Sequence, residues 1–132
     1  MILDADGAIL GRLASKVAKE LLKGNQITII NAEKVVVSGN HKASVRRFFE
    51  KRKRGDIRKG PFYPKYPEGI VRRVIRGMLP YKKDKGRKAL KRLKVYRDSH
   101  SLKGEKITKT SNELRAKYTI LGEICKELGA KL

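Results

Sequence analysis

Between residues 41 and 94 the chain carries 21 Lys and Arg against four Asp and Glu, a net charge of +17 out of the +21 of the whole 132-residue sequence. Like charges at this density repel one another, so the compact state of this segment calls for a polyanion to offset them. The flanks are nearly neutral: residues 1–40 sum to +1 and residues 95–132 to +3. Solvated protein surface normally mixes both signs. The middle of the chain is therefore expected to be a binding region, held between two stretches of ordinary protein.

A chain of this length buries roughly two thirds of its unfolded surface, enough for one modest core. A single domain over 1–132 is expected, with its basic region at 41–94 and a C-terminal tail at 98–132. Cys125 is the only cysteine, so no intrachain disulfide can form and an oxidising compartment has no support. No apolar run approaches the roughly 20 residues that span a bilayer. The start, Met1-Ile2-Leu3-Asp4, lacks the basic and apolar stretches of a signal peptide, and an intracellular protein is expected.

Ile2-Leu3 reads as a short strand that ends in the turn residues Asp4-Ala5-Asp6-Gly7. From Ile9 the apolar residues Ile9, Leu10, Leu13, Ala14, Val17, Ala18, Leu21 and Leu22 keep helical spacing until Gly24, a natural C-terminal stop. Arg12, Lys16, Lys19 and Lys23 form a stripe on the other side. Ile27–Ile30 and Val35–Val37 are β-branched runs, two strands or one interrupted strand, whose lack of alternation suggests a sheet covered on both faces. Strand, helix, strand is the order of a parallel βαβ unit, and the fold class expected is α/β.

Ala43–Lys53 reads as a second helix with Val45, Phe48 and Phe49 on its apolar face. Gly55–Pro67 reads as a basic loop, since three prolines and two glycines oppose either regular element; it lacks apolar residues to dock itself and is expected to become fixed on its partner. Its aromatics, Phe62, Tyr63 and Tyr66, either pack on the domain or stack on unpaired bases. Glu68–Leu79 is helical by period, with Ile70, Val71, Val74, Ile75, Met78 and Leu79 on one half, Arg72, Arg73 and Arg76 on the other, and Pro80 ending it. Asp84 is expected to cap a short helix through Leu93 that turns Ala89, Leu90 and Leu93 inward and Lys85, Lys88, Lys91 and Arg92 outward. Val95-Tyr96 suggests a further strand. Thr110–Glu113 has capping-box spacing, and Leu121, Ile124, Cys125 and Leu128 mark a terminal helix stopped by Gly129.

Catalytic chemistry is thin. Gly7 and Gly11 precede a helix, but no Gly-x-Gly-x-x-Gly or Gly-Lys-Ser/Thr follows a strand, so Gly7 reads as a turn former and Gly11 as a close-packing position. His41, His100 and Cys125 lack metal-ligand spacing, and Cys125 falls on an apolar stripe, where a thiol is inert. No catalytic residue, metal, cofactor or small-molecule substrate is expected. His41 opens the basic region and is placed to touch phosphate. Lys and Arg interleaved with a few aromatics suit nucleic acid. Charge alone would also permit a nonspecific DNA-binding protein, and the α/β pattern a small nucleotide-using transferase. No reading helix, zinc finger or RNA-recognition motif is present, which favours a folded RNA recognised by shape and phosphate geometry.

Five segments go further: Asp4-Ala5-Asp6-Gly7 with Gly11-Arg12-Leu13-Ala14-Ser15; Asn31-Ala32-Glu33-Lys34; Ser38-Gly39; Arg76-Gly77-Met78-Leu79-Pro80; and Lys91-Arg92-Leu93-Lys94-Val95-Tyr96. In this order, over about residues 2–97, they resemble the ribosomal protein L13 family of the large subunit. The resemblance implies a three-layer α/β/α domain with a four-stranded, mostly parallel sheet, basic loops and a C-terminal helix. It also implies a structural role in the cytoplasmic large ribosomal subunit, binding 23S-type ribosomal RNA beside neighbouring large-subunit proteins, with no membrane partner. The short form and the tail Tyr118–Lys131 look like the archaeal branch.

The residues expected to meet RNA are Arg12 and Lys16 on the first helix, then His41, Lys42, Arg46, Arg47, Lys51, Arg52, Lys53 and Arg54 on and after the second. Arg58, Lys59 and Lys65 belong to the basic loop, and Arg72, Arg73 and Arg76 to the third helix. Lys82, Lys83, Lys85, Arg87, Lys88 and Lys91 complete the set around the fourth.

Overall fold

The structure, a computed structural model, describes residues 1–54, 63–99, 102–106 and 117–132. Three short strands build its main sheet: β1 (Ile2–Asp4), β2 (Ile27–Ile30) and β4 (Leu93–Val95), in the order β1-β2-β4 and all parallel. Ile2 stands opposite Thr28, and Ile27 opposite Leu93. Between β1 and β2 runs α1 (Leu10–Leu22), so the βαβ unit is present. Its apolar stripe Leu10, Leu13, Ala14, Val17, Ala18 and Leu21 is buried. Gly24, with φ +101°, closes the helix by donating its N–H to the Leu21 carbonyl at 3.1 Å, a conformation that a side chain would strain.

Val36–Ser38 (β3) does not join this sheet. It pairs antiparallel with β5 (Tyr118–Ile120) in a second, two-stranded sheet. The break comes at Asn31, whose left-handed backbone (φ 60°) opens a 3-10 turn over Ala32–Lys34 and redirects the chain. Among the described residues the parallel sheet thus has three strands where four were expected, with one additional bridge between Leu3 and Glu105. Burial differs between the two faces of this sheet. Leu3, Ile27, Ile29 and Leu93 share one buried cluster with the inward residues of α1, α3 (Pro67–Gly77) and α4 (Asp84–Lys91). On the opposite parity Ile30 is buried, Ile2 and Thr28 are half-buried and Lys94 is exposed, so that face is covered in part.

The Asn31 turn is tied down on both flanks. Asn31 Nδ2 donates to Asp4 Oδ1 at 2.9 Å, and that oxygen also accepts from the Asp6 N–H at 2.9 Å. The N–H groups of Asn31, Ala32 and Glu33 donate to the carbonyls of Asp98, Tyr96 and Arg97. One turn therefore joins the C-terminal ends of all three parallel strands. Against it packs α5 (Leu121–Glu127), close enough that a side chain at Gly122 would meet the Glu33 carbonyl at 2.9 Å.

Helix α2 (His41–Lys53) starts two residues earlier than expected because Asn40 accepts a hydrogen bond from the Lys42 N–H at 3.1 Å. Phe48 is buried, Val45 half-buried, and Phe49 is 44% exposed rather than part of the core. On α3, Ile70, Val71 and Ile75 are buried as the period requires. Met78 is 43% exposed, however, because the helix ends at Gly77, while Leu79 turns back into the core. Helix α4 ends at Lys91, since Leu93 is taken by β4. Asp84 is its first residue, not its cap: Lys83 holds the cap position without a side-chain bond. Gly86 is buried so tightly that a Cβ there would collide with the Pro80 carbonyl, whereas Gly11, expected to be close-packed, is exposed with open space around it.

Candidate nucleic-acid interface

Helix α2 carries the densest run of cations. Its buried residues are Ser44 and Phe48 alone, so nearly the whole circumference is left to charge. Lys42, Arg46, Arg47, Lys53 and Arg54 are exposed. His41 is not free to turn to phosphate alone: its Nε2 lies 2.7 Å from Glu127 Oε1 on α5. Lys51 sits over two rings, 5.3 Å from the centroid of Phe48 and 5.4 Å from that of Tyr63. Burial lowers the pKa of its ammonium, and the positive charges of Arg47 and Arg54 lower it further. An anion laid along α2 would relieve that repulsion.

Tyr63 is where α2 and α3 meet. Its ring centroid is 6.1 Å from that of Phe48, Arg73 lies over it at 5.7 Å, and Arg52 donates to its carbonyl at 3.2 Å. Tyr66 is likewise engaged, by Arg97 at 4.8 Å and Lys65 at 5.7 Å. Both tyrosines pack against the core, so of the two roles open to these aromatics in the sequence they take the packing one. Phe62, Arg58 and Lys59 lie outside the described residues, as do His100 and the Thr110–Glu113 capping box.

The arginines of α3 and α4 divide by what they hold. Arg72 spans two backbone carbonyls, Leu93 at 3.0 Å and Leu90 at 3.4 Å, and so fastens α3 to the end of α4 and the start of β4. Arg87 likewise braces the turn before α4, through the carbonyls of Tyr81 and Lys82 at 3.1 Å each. Arg76 lies over Tyr81 at 4.5 Å. Lys82, Lys83, Lys85, Lys88 and Lys91 are exposed, with Lys88 3.9 Å from Asp84. Arg12 and Lys16 are exposed on α1, and α1 is joined to the end of α4 by Arg92, which donates to the Leu21 carbonyl.

Sequence patterning missed the ion pair that closes this face. Arg97 meets Glu68 through two bonds, Nη2 to Oε1 at 2.9 Å and Nε to Oε2 at 3.2 Å, linking the first turn of α3 to the chain after β4. Burial pushes the Glu68 carboxyl up, but the Arg97 hydrogen bonds, its own backbone N–H and the Arg97 charge outweigh it and leave the pKa lowered. Cys125 is fully buried and its thiol is pushed up to about 12, chiefly by burial. Among the described residues no three His, Cys, Asp or Glu side chains are grouped to hold a metal, and no helix is long and apolar enough to cross a membrane.

The family model for ribosomal protein L13 matches residues 1–101. The chain belongs to the ribosomal protein L13 family. Proteins named large ribosomal subunit protein uL13 are similar to it over almost their whole length. That of Methanocaldococcus jannaschii is 48% identical over 136 residues, covering 98% of each chain. That of Methanosarcina barkeri is 47% identical over 137 residues, again covering 98% of each. That of Thermoplasma acidophilum is 46% identical over 132 residues, covering 97% of each. The L13 likeness therefore extends through α5, and the segments that suggested it have visible work: Asn31 joins the strand ends, Leu79 fills the core, and Arg92 fastens α1 to α4.

Proposed function

We propose that this L13-family protein is a non-catalytic structural constituent of the large ribosomal subunit in the cytoplasm, and that it binds 23S-type ribosomal RNA by phosphate contacts along α2, the turn before α4, α4 itself and the outer stripe of α1. The observation that carries the RNA interface is the exposure of Lys42, Arg46, Arg47, Lys53, Lys82, Lys83, Lys85 and Lys91 on helices whose inner faces are already committed to the core. Side chains so placed keep their charge at the surface, and their density demands a polyanion. Arg73, Arg76, Lys51 and Lys65 contribute through the outward edges left beside their aromatic partners. Neighbouring large-subunit proteins meet the remaining surface, and the chain acts as one domain.

Sedimentation of cell extract through a density gradient tests the assignment: the protein should travel with large subunits and leave them only at high salt. Recovery at the top of the gradient at low salt would refute it. Equal affinity of the purified protein for duplex DNA and folded ribosomal RNA would favour a nonspecific DNA-binding role instead.

A further inference from the structure

Three aromatic side chains with large exposure stand out among the described residues: Phe49 at 44%, Tyr81 at 37% and Tyr118 at 46%. Tyr81 already carries the Arg76 guanidinium on its ring. Tyr118 borders a groove with Glu123, whose charge disfavours phosphate. Phe49 differs from both. A tyrosine at the surface can hydrate its hydroxyl, but a phenylalanine has no polar tip and gains nothing from contact with water.

Phe49 borders a groove of about 500 Å³, lined also by His41, Lys42, Val45, Arg46 and Glu127. The four α2 residues of this lining lie one and two turns N-terminal to Phe49, whereas Lys53, one turn C-terminal, places its Nζ 4.4 Å from the ring centroid. The ring is thus backed by a cation and also borders a groove that carries Lys42 and Arg46. The groove's carboxylate, Glu127, is engaged by His41 at 2.7 Å. A planar π-system entering the groove would stack on the ring, with its own phosphates reaching Lys42 and Arg46.

We propose, resting on the RNA-binding role above, that Phe49 is a stacking platform for one unpaired base of the ribosomal RNA, sandwiched between that base and Lys53, and that Lys42 and Arg46 hold the flanking phosphates. This is the stacking role that Tyr63 and Tyr66 do not fill. Base-on-aromatic stacking tolerates any base, since every base has a π face. The site therefore selects an unstacked nucleotide rather than a sequence.

The chain contains no tryptophan, so Phe49→Trp places a single indole at the site. Titration with a short oligoadenylate should quench its fluorescence, while a fully paired RNA duplex of the same length should bind without quenching. Phe49→Leu keeps the apolar bulk but removes the π face; it should weaken oligoadenylate binding by about tenfold and leave the salt dependence unchanged. Salt-dependent RNA binding with the indole unquenched would overturn the stacking while leaving the RNA-binding role intact. Failure of the wild-type protein to bind folded ribosomal RNA would instead remove that role. If the indole is silent to RNA yet shielded from acrylamide in assembled subunits, the groove belongs to a neighbouring protein and the proposal falls.

Discussion

At the scale of single residues, the basic side chains of this protein are chemically alike in the sequence and unlike in their tasks. Arg72 is spent on the carbonyls of Leu93 and Leu90, so Arg72→Ala should destabilise the free protein by about 1–3 kcal/mol, the cost typical of losing charge-assisted hydrogen bonds. Arg46→Ala should leave the melting temperature unchanged and reduce only RNA affinity. Thermal melts of the two variants in the absence of RNA provide the comparison. The adjacent pair Met78 and Leu79 divides in the same way: Leu79→Ala should cost about 2–5 kcal/mol, and Met78→Ala, at a surface position, no more than about 0.5 kcal/mol. Periodicity placed both on one face because it assumes the helix continues. The helix stops at Gly77, and the side chain that follows swings outward.

At the scale of elements, α1 and α3 were legible because each repeats buried positions at helical spacing over two or more turns, and α5 because Leu121, Ile124 and Cys125 keep that spacing within its short length. The parallel β1-α1-β2 unit was legible too, but the second sheet was not. Which sheet Val36–Ser38 joins depends on the left-handed backbone of one residue, Asn31, and its partner β5 is three residues long with only Thr119 buried, which leaves no apolar signature. The Glu68–Arg97 pair was equally hidden, since a bond between the start of α3 and the end of β4 follows from topology alone. It makes a pH prediction. Because the Glu68 pKa is lowered in the folded protein, its stabilising contribution is fully present above the ordinary value of 4.5 and is lost as pH falls through the lowered value. Glu68→Gln should thus reduce stability at pH ~7, and the gap between variant and wild type in urea titrations should narrow as the pH falls below the ordinary value of 4.5. A gap that persists in acid would mean the carboxylate charge is not what matters.

At the scale of the whole molecule, charge was the most readable property and its direction in space the least. The sum over residues 41–94 pointed to a polyanion, but only the fold separates cations that brace the turns from those that remain at the surface. Removing Arg46, Arg47 and Lys85 together should therefore lower the slope of log affinity against log salt by about one unit for each phosphate left without its cation, and should leave the melt unchanged. An unchanged slope would move the RNA to another face.

The lone thiol gives the molecule a built-in clock. Cys125 is sealed on the inner face of α5 and holds its proton far above neutrality, so an alkylating reagent can reach a reactive thiolate only when that helix lifts away. The rate at which the native protein takes up iodoacetamide consequently measures how often its C-terminal end opens. Comparing that rate before and after RNA is added would show whether binding at the basic helices also tightens the C-terminal end.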